Sequence, residues 1–181
     1  GESIGGRDSV DTNVSLRTVR ELFLPPFAKA VQAGCATFMT AYSAIDGVPL
    51  TIHGGMRRDV LKNELGFDGF VVTDWDNVRS LVERQHVAQD LRDAAAQAIT
   101  AGNNMIMTTF EAYEEIIAAV KEGTLAQSAL DDAVRRILTV KFRLGLFDAK
   151  RYATLNAEAF ATPAHRALNA GARERAWTRV T

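Results

Sequence analysis

Apolar residues along this chain alternate between short unbroken runs and helically spaced stripes, which reads as strand and helix in turn. Ser15 predicts the cap of a helix from about Leu16 to Ala33, with Leu16, Val19, Leu22, Phe23, Phe27 and Val31 on one apolar side. Pro25-Pro26 should break or kink it, and Gly34 should stop it. The run from Cys35 to Tyr42 predicts a strand, followed by a loop carrying Asp46-Gly47-Val48-Pro49. A second helix fits Gly55 to Leu65, and Phe70-Val71-Val72 is a short β-branched run of the kind found in buried parallel strands. Further helices are expected around Val87–Ala101, Phe110–Glu122 and Ala129–Leu144, each closed by a glycine, with a short strand over Asn104–Thr108.

This order is α/β grammar without consecutive hairpins. Three strands with helical crossovers do not complete a (β/α)8 barrel, whose usual chain is about 250 residues, so the pattern predicts a partial TIM-type barrel, about its C-terminal half. The predicted barrel portion is residues 1–148. Residues 149–181, where the apolar period weakens, read as a linker and truncated tail without a convincing packed element.

Composition narrows the classes. With 47% hydrophobic and 24% charged residues over 181 positions, the chain can bury a core. Lysine plus arginine number 21 against 22 acidic residues, so nothing in the charge calls for nucleic acid or an anionic membrane. No apolar run approaches the roughly 18 residues of a membrane span. The chain does not open as a signal peptide, but it also lacks an initiator Met, so export stays open. The single cysteine, Cys35, excludes an intramolecular disulfide and reads as a small buried hydrophobe. His53, His86 and His165 have no ligand spacing, so neither metal nor cofactor is expected.

The strongest chemical signal is Asp74, which follows Phe70-Val71-Val72-Thr73 at the C-terminal end of a strand, where β/α folds bind ligands. Trp75 beside it offers a flat apolar face suited to stacking on a sugar. A plainer reading is also available: Asp74 or Asp76 caps a helix beginning at Asn77.

Five motifs, in order, carry a resemblance. They are Gly5-Gly6-Arg7-Asp8, Leu24-Pro25-Pro26-Phe27, Met39 to Pro49, Asp59 to Trp75, and Ala133 to Leu138 running on to Phe147. The chain resembles the later part of the N-terminal catalytic barrel of glycoside hydrolase family 3, the β-glucosidase and β-xylosidase group. That resemblance implies a retaining glycosidase with Asp74 as its nucleophile, forming a covalent glycosyl-enzyme intermediate. It further implies that Tyr42 points its hydroxyl toward the nucleophile, Met39 lines the pocket, Arg7 donates to sugar hydroxyls and Trp75 forms a wall. The implied substrate is a small β-glucoside or oligosaccharide, with a xyloside as the alternative.

The same resemblance marks departures. The family's Lys-His-Phe motif falls before Gly1, and the acid/base group is expected from a domain beyond the barrel. One branch places an Asp-His pair where this chain has Gly5 to Asn13, which contains Asp8 and Asp11 but no histidine. The isolated chain is therefore expected to be catalytically incomplete and, with an exposed strand edge and apolar face, to self-associate. A phosphoacceptor receiver domain also puts an aspartate at a strand end, but Asn103 to Thr108 lacks the lysine it needs. A sugar-binding piece without turnover remains the competing class.

Overall fold

The computed structural model describes residues 3–148 and 160–176. Two compact units, Gly1–Leu144 and Gly145–Thr181, divide the chain. In the first, a tight turn at Ile4–Gly6 leads to β1 (Asp11–Thr12). Ser15 then caps α1 (Leu16–Thr18), its hydroxyl accepting the Thr18 N–H at 3.1 Å. The helix continues through a wide π-helical turn, Val19–Phe23, into α2 (Leu24–Gln32). Contrary to expectation, Pro25-Pro26 does not interrupt it. Both prolines lie in the first turn of α2, and the wide turn ahead absorbs the carbonyl clash and the missing donors.

β2 (Thr37–Thr40) is shorter than predicted. Cys35 lies before it, half-buried rather than in the core, with its thiol donating to the Thr37 carbonyl at 3.1 Å. β3 (Ala44–Ile45) and β4 (Val48–Pro49) form a small antiparallel hairpin where a loop was expected. Its turn residues Asp46 and Gly47 take φ of 48° and 79°, the left-handed pair that matches strand twist in a two-residue hairpin. The Asp11 carboxylate accepts the Gly47 N–H at 3.0 and 3.1 Å, which pins the turn to β1. β1 and β3 pair in parallel.

A short turn at Leu50–Ile52 precedes a π-helical segment, Gly55–Glu64, and then β5 (Phe70–Thr73). β5 pairs in parallel with β2, with Met39 opposite Val72 and Thr40 opposite Thr73. Gly69 is required by this approach. A Cβ there would stand 2.1 Å from the Ala36 carbonyl oxygen. On the covered side of the pair, Phe38 stacks edge-on against Phe67 with ring centres 4.9 Å apart and meets Phe27 at 5.8 Å.

The expected strand over Asn104–Thr108 reduces to a single parallel bridge, Val72 to Met105. Side chains take over the rest of the ladder. The Asn104 side-chain carbonyl accepts the Val71 N–H at 2.9 Å, and the Thr73 hydroxyl accepts the Met107 N–H at 2.9 Å. These side-chain bonds add to the backbone bonds that remain, from the Asn104 and Met105 N–H groups to the Val71 carbonyl at 2.8 and 3.1 Å, while the buried Asn104 Nδ2 makes no hydrogen bond among the described residues.

Four helices follow: α3 (Asn77–Glu83), α4 (Leu91–Thr100), α5 (Glu111–Glu122) and α6 (Gln127–Arg143). α4 starts later than the apolar pattern suggested. Asp90 accepts the Asp93 N–H at 2.9 Å while Asp93 accepts the Gln89 N–H at 3.0 Å, a reciprocal cap that sets the first turn. Ala94, Ala95 and Ala98 are fully buried, so α4 approaches its neighbours closely and forms a core with Val78, Leu81, Ile106, Ile116 and Leu125. From α6, Arg136 donates to the Phe67 and Gly69 carbonyls at 3.2 and 3.1 Å and holds the turn that launches β5.

In the second unit, α7 (Pro163–Ala176) is a helix where no packed element was expected, and none of its residues is buried. Its alanine and arginine content favours helix without requiring a core. The readings made for 149–159 and for the end of the chain from Trp177 lie outside the described residues. What the described residues form is a mixed helix and strand fold with parallel strand pairs.

Two outcomes follow from this packing. Gly69→Ala should destabilise by about 1–3 kcal/mol or more, since backbone rather than a flexible side chain must move, and a lowered urea midpoint would register it. Lys62 supplies the second. Burial first, then the Arg136 charge, pushes its ammonium down to about 8 against the opposing pull of Asp132. Its folded pKa is below its unfolded one, so stability should rise with pH from about 8 upward, the penalty being complete below that. Lys62→Met should be more stable than the parent at pH 7 and show a smaller rise by pH 9.5, read from urea midpoints.

Candidate active site

Three of the five candidate residues converge at the C-terminal end of the β2–β5 pair. Asp74 directly follows β5, and its Oδ1 accepts the N–H of Trp75 at 2.6 Å. Tyr42, two residues beyond β2, donates its hydroxyl to the Trp75 carbonyl at 2.6 Å. Trp75 is 65% exposed, so its ring is free to meet a ligand. The parallel register is what brings Tyr42 beside Asp74. Burial first, and then the Asp74 charge, raise the Tyr42 phenol above its ordinary range, so it stays a protonated donor through neutral pH.

Buried amides that the sequence reading missed support this corner. Asn77, fully buried, donates to the Thr40 and Ala41 carbonyls at 3.4 and 3.2 Å, tying the start of α3 to the end of β2. Gln85 donates to the Tyr42 carbonyl at 3.1 Å. Asn103 accepts from the Thr40 hydroxyl at 2.7 Å and donates to the Thr51 and Ala98 carbonyls at 2.7 and 2.8 Å. The available signal was polar side chains set within apolar runs, which in a folded core mostly find partners, although Asn77 Oδ1 and Gln85 Oε1 have none among the described residues.

The helix-cap reading of the acidic residues does not hold for their side chains. Asp76 occupies the N-cap position of α3, yet its carboxylate makes no cap bond. It accepts instead from Thr109 at 2.9 Å and from Arg79 at 3.3 Å. Asp68, on the turn before β5, is exposed and pairs with Arg143 at 2.7 Å, away from the strand's C-terminal end.

Arg7 and Met39 stand apart from the trio. Arg7 lies in the exposed first loop, and among the described residues its guanidinium makes no hydrogen bond or ion pair. The charge of its neighbour Asp8 is a minor cause of the rise in the Tyr42 pKa. Met39 lines an apolar cavity of about 300 Å³ with Phe23, Phe27, Phe38, Leu61 and Arg57. Neither Asp74, Tyr42 nor Trp75 lines that cavity. Among the described residues no group of three or more His, Cys, Asp or Glu is arranged to hold a metal, and no helix is long and apolar enough to cross a membrane.

A parallel pair delivering an aspartate and a tryptophan from a strand end matches a known domain. The family model for the glycosyl hydrolase family 3 N terminal domain matches residues 1–140, and the chain belongs to that family. It is 39% identical over 145 residues to the lysosomal beta glucosidase of Dictyostelium discoideum, covering 78% of this chain and 18% of that protein. A beta-xylosidase of Formosa agariphila is 37% identical over 147 residues, covering 77% of this chain and 20% of that protein. Among solved structures, the beta-glucosidase from Listeria innocua in complex with glucose superimposes with a TM-score of 0.87 at 32% identity, covering 92% of this chain and 23% of that one. The chain spans about a fifth of the length of the curated relatives it matches.

The Tyr42–Trp75 bond can be tested directly. In a Trp177→Phe background, Tyr42→Phe should increase quenching of Trp75 fluorescence by acrylamide. Loss of one such bond should cost only about 1 kcal/mol, read from the urea midpoint.

Proposed function

We propose that this segment carries the nucleophile of a retaining β-glycosidase and forms part of a (β/α)8 barrel, with Asp74 as the attacking carboxylate. The observation that carries the reading is the position of Asp74 at the C-terminal end of β5, between an exposed Trp75 and the hydroxyl of Tyr42. An aspartate is suited to this role because it is ionised near neutral pH, attacks the anomeric carbon as positive charge develops and leaves when water hydrolyses the acylal ester. Tyr42, held protonated, would donate toward the ring region as the bond forms. Trp75 would stack on an apolar sugar face, and Arg7, exposed and without a protein partner, would be free to hydrogen-bond sugar hydroxyls.

A retaining reaction needs a second carboxyl group about 5–5.5 Å from the first, to protonate the leaving oxygen and later to activate water. In this reading that group comes from another part of the polypeptide. Met39 would line the pocket from the neighbouring strand. The substrate class is a β-linked glucoside, since most of the relatives named above are β-glucosidases; the Formosa relative, a β-xylosidase, makes xyloside the second reading. No cofactor enters the chemistry.

In the natural full-length polypeptide, Asp74→Asn and Asp74→Ala should abolish hydrolysis of an aryl β-glucoside and leave the thermal transition nearly unchanged. A 2-deoxy-2-fluoro glucoside should form a covalent adduct on the peptide containing Asp74. Near-parental turnover in either variant, or an adduct mapped by mass spectrometry to Asp68 or Asp76, would defeat the assignment.

A further inference from the structure

Both residues of one cross-loop contact near Asp74 sit in left-handed backbone. Asp76 has a φ of 52° and Thr108 a φ of 62°. For a β-branched threonine this conformation is a steric outlier, and it persists only where surrounding contacts hold it. Here they do so across two loops. The Thr108 hydroxyl accepts the Asp76 N–H at 2.8 Å and donates to the Met107 carbonyl at 2.8 Å. Thr109, fully buried, donates its hydroxyl to Asp76 Oδ1 at 2.9 Å. Arg79 reaches the same oxygen at 3.3 Å and continues to Glu111 at 2.9 Å.

These bonds complete a bracket around Asp74. On its N-terminal side, the Thr73 hydroxyl holds the Met107 N–H and the Thr73 N–H donates to the Met105 carbonyl at 2.9 Å. On its C-terminal side, Tyr42 holds the Trp75 carbonyl and the 107–109 loop holds Asp76. We propose that Asp76, Thr108 and Thr109 are positioning residues: they clamp the turn after β5 onto the following loop, fixing the direction in which Asp74 leaves the strand. The proposal rests on Asp74 being the nucleophile. Misplacing a reacting group by about 1 Å can cost on the order of 10²-fold, so a clamp that acts through the backbone is enough to matter.

The test measures, in the natural full-length polypeptide, the rate constant of covalent trapping by a 2-deoxy-2-fluoro glucoside with a good leaving group, beside the thermal transition. Thr108→Ala and Asp76→Ala should slow trapping roughly 10- to 100-fold with little change in apparent sugar affinity. Thr108→Ser, which keeps the hydroxyl, and Asp76→Asn, which keeps an acceptor and tolerates left-handed backbone, should stay within about threefold of the parent. Should Thr108→Ala fail to fold, Thr109→Val removes only the hydroxyl that reaches Asp76 and carries the same expectation. A folded Thr108→Ala or Thr109→Val variant trapped on Asp74 at the parental rate would overturn the clamp, as would Thr108→Ser losing as much as Thr108→Ala. A parent protein trapped on a residue other than Asp74 would overturn the nucleophile assignment and the clamp together, which separates the two failures.

Discussion

The parallel pairing of β2 with β5 is the contact on which the site depends. Its register sets Thr40 opposite Thr73, so the residues just beyond each strand, Tyr42 and Asp74, emerge side by side. That closeness requires Gly69, because any side chain there would strike the Ala36 carbonyl as the strands come together. Arg136 braces the same turn from α6 through the carbonyls of Phe67 and Gly69. A glycine and an arginine at the opposite end of the strand from Asp74 therefore help determine where that carboxylate points.

Buried amides and hydroxyls do the joining that a wider backbone ladder would otherwise do. Asn104 and Thr73 substitute for strand pairing next to β5, while Asn77 and Asn103 stitch β2 to α3 and α4. Such groups are expensive to leave unsatisfied in a core, so the bonds they do form are costly to exchange, while Asn77 Oδ1 and Asn104 Nδ2 stay buried without a hydrogen-bond partner among the described residues. These bonds fix the strand ends to the elements around them. The trade is visible in the backbone, where Asp76 and Thr108 both adopt left-handed conformations and bond to each other.

The large apolar cavity illustrates how little volume alone says about chemistry. Phenylalanines and leucines dominate its lining, with Met39 as its one member from the candidate residues. Within it Arg57 is 5% exposed, and its Nε and Nη2 atoms lack partners. Burial pulls that guanidinium down to about 9. The trio at the strand end lies outside that cavity.

Much of this was legible in the one-dimensional pattern. Helical spacing identified the long helices, and the β-branched run before Asp74 marked the strand that ends at Thr73, because side-chain period and strand-end polarity are local properties. Ser15 was readable as a cap for the same reason. What the pattern could not decide depended on partners distant in sequence. Pro25-Pro26 passes without a break because a π-helical turn precedes it. Asn104–Thr108 forms a single bridge rather than a strand because side chains occupy its ladder positions. Asp76 turns its carboxylate to Thr109 instead of capping α3, and Met39 faces a cavity apart from the trio. The sequence by itself determined which residues could bury, cap and react; the tertiary structure decided which of them meet, since register and buried hydrogen bonds exist only between segments that folding brings together.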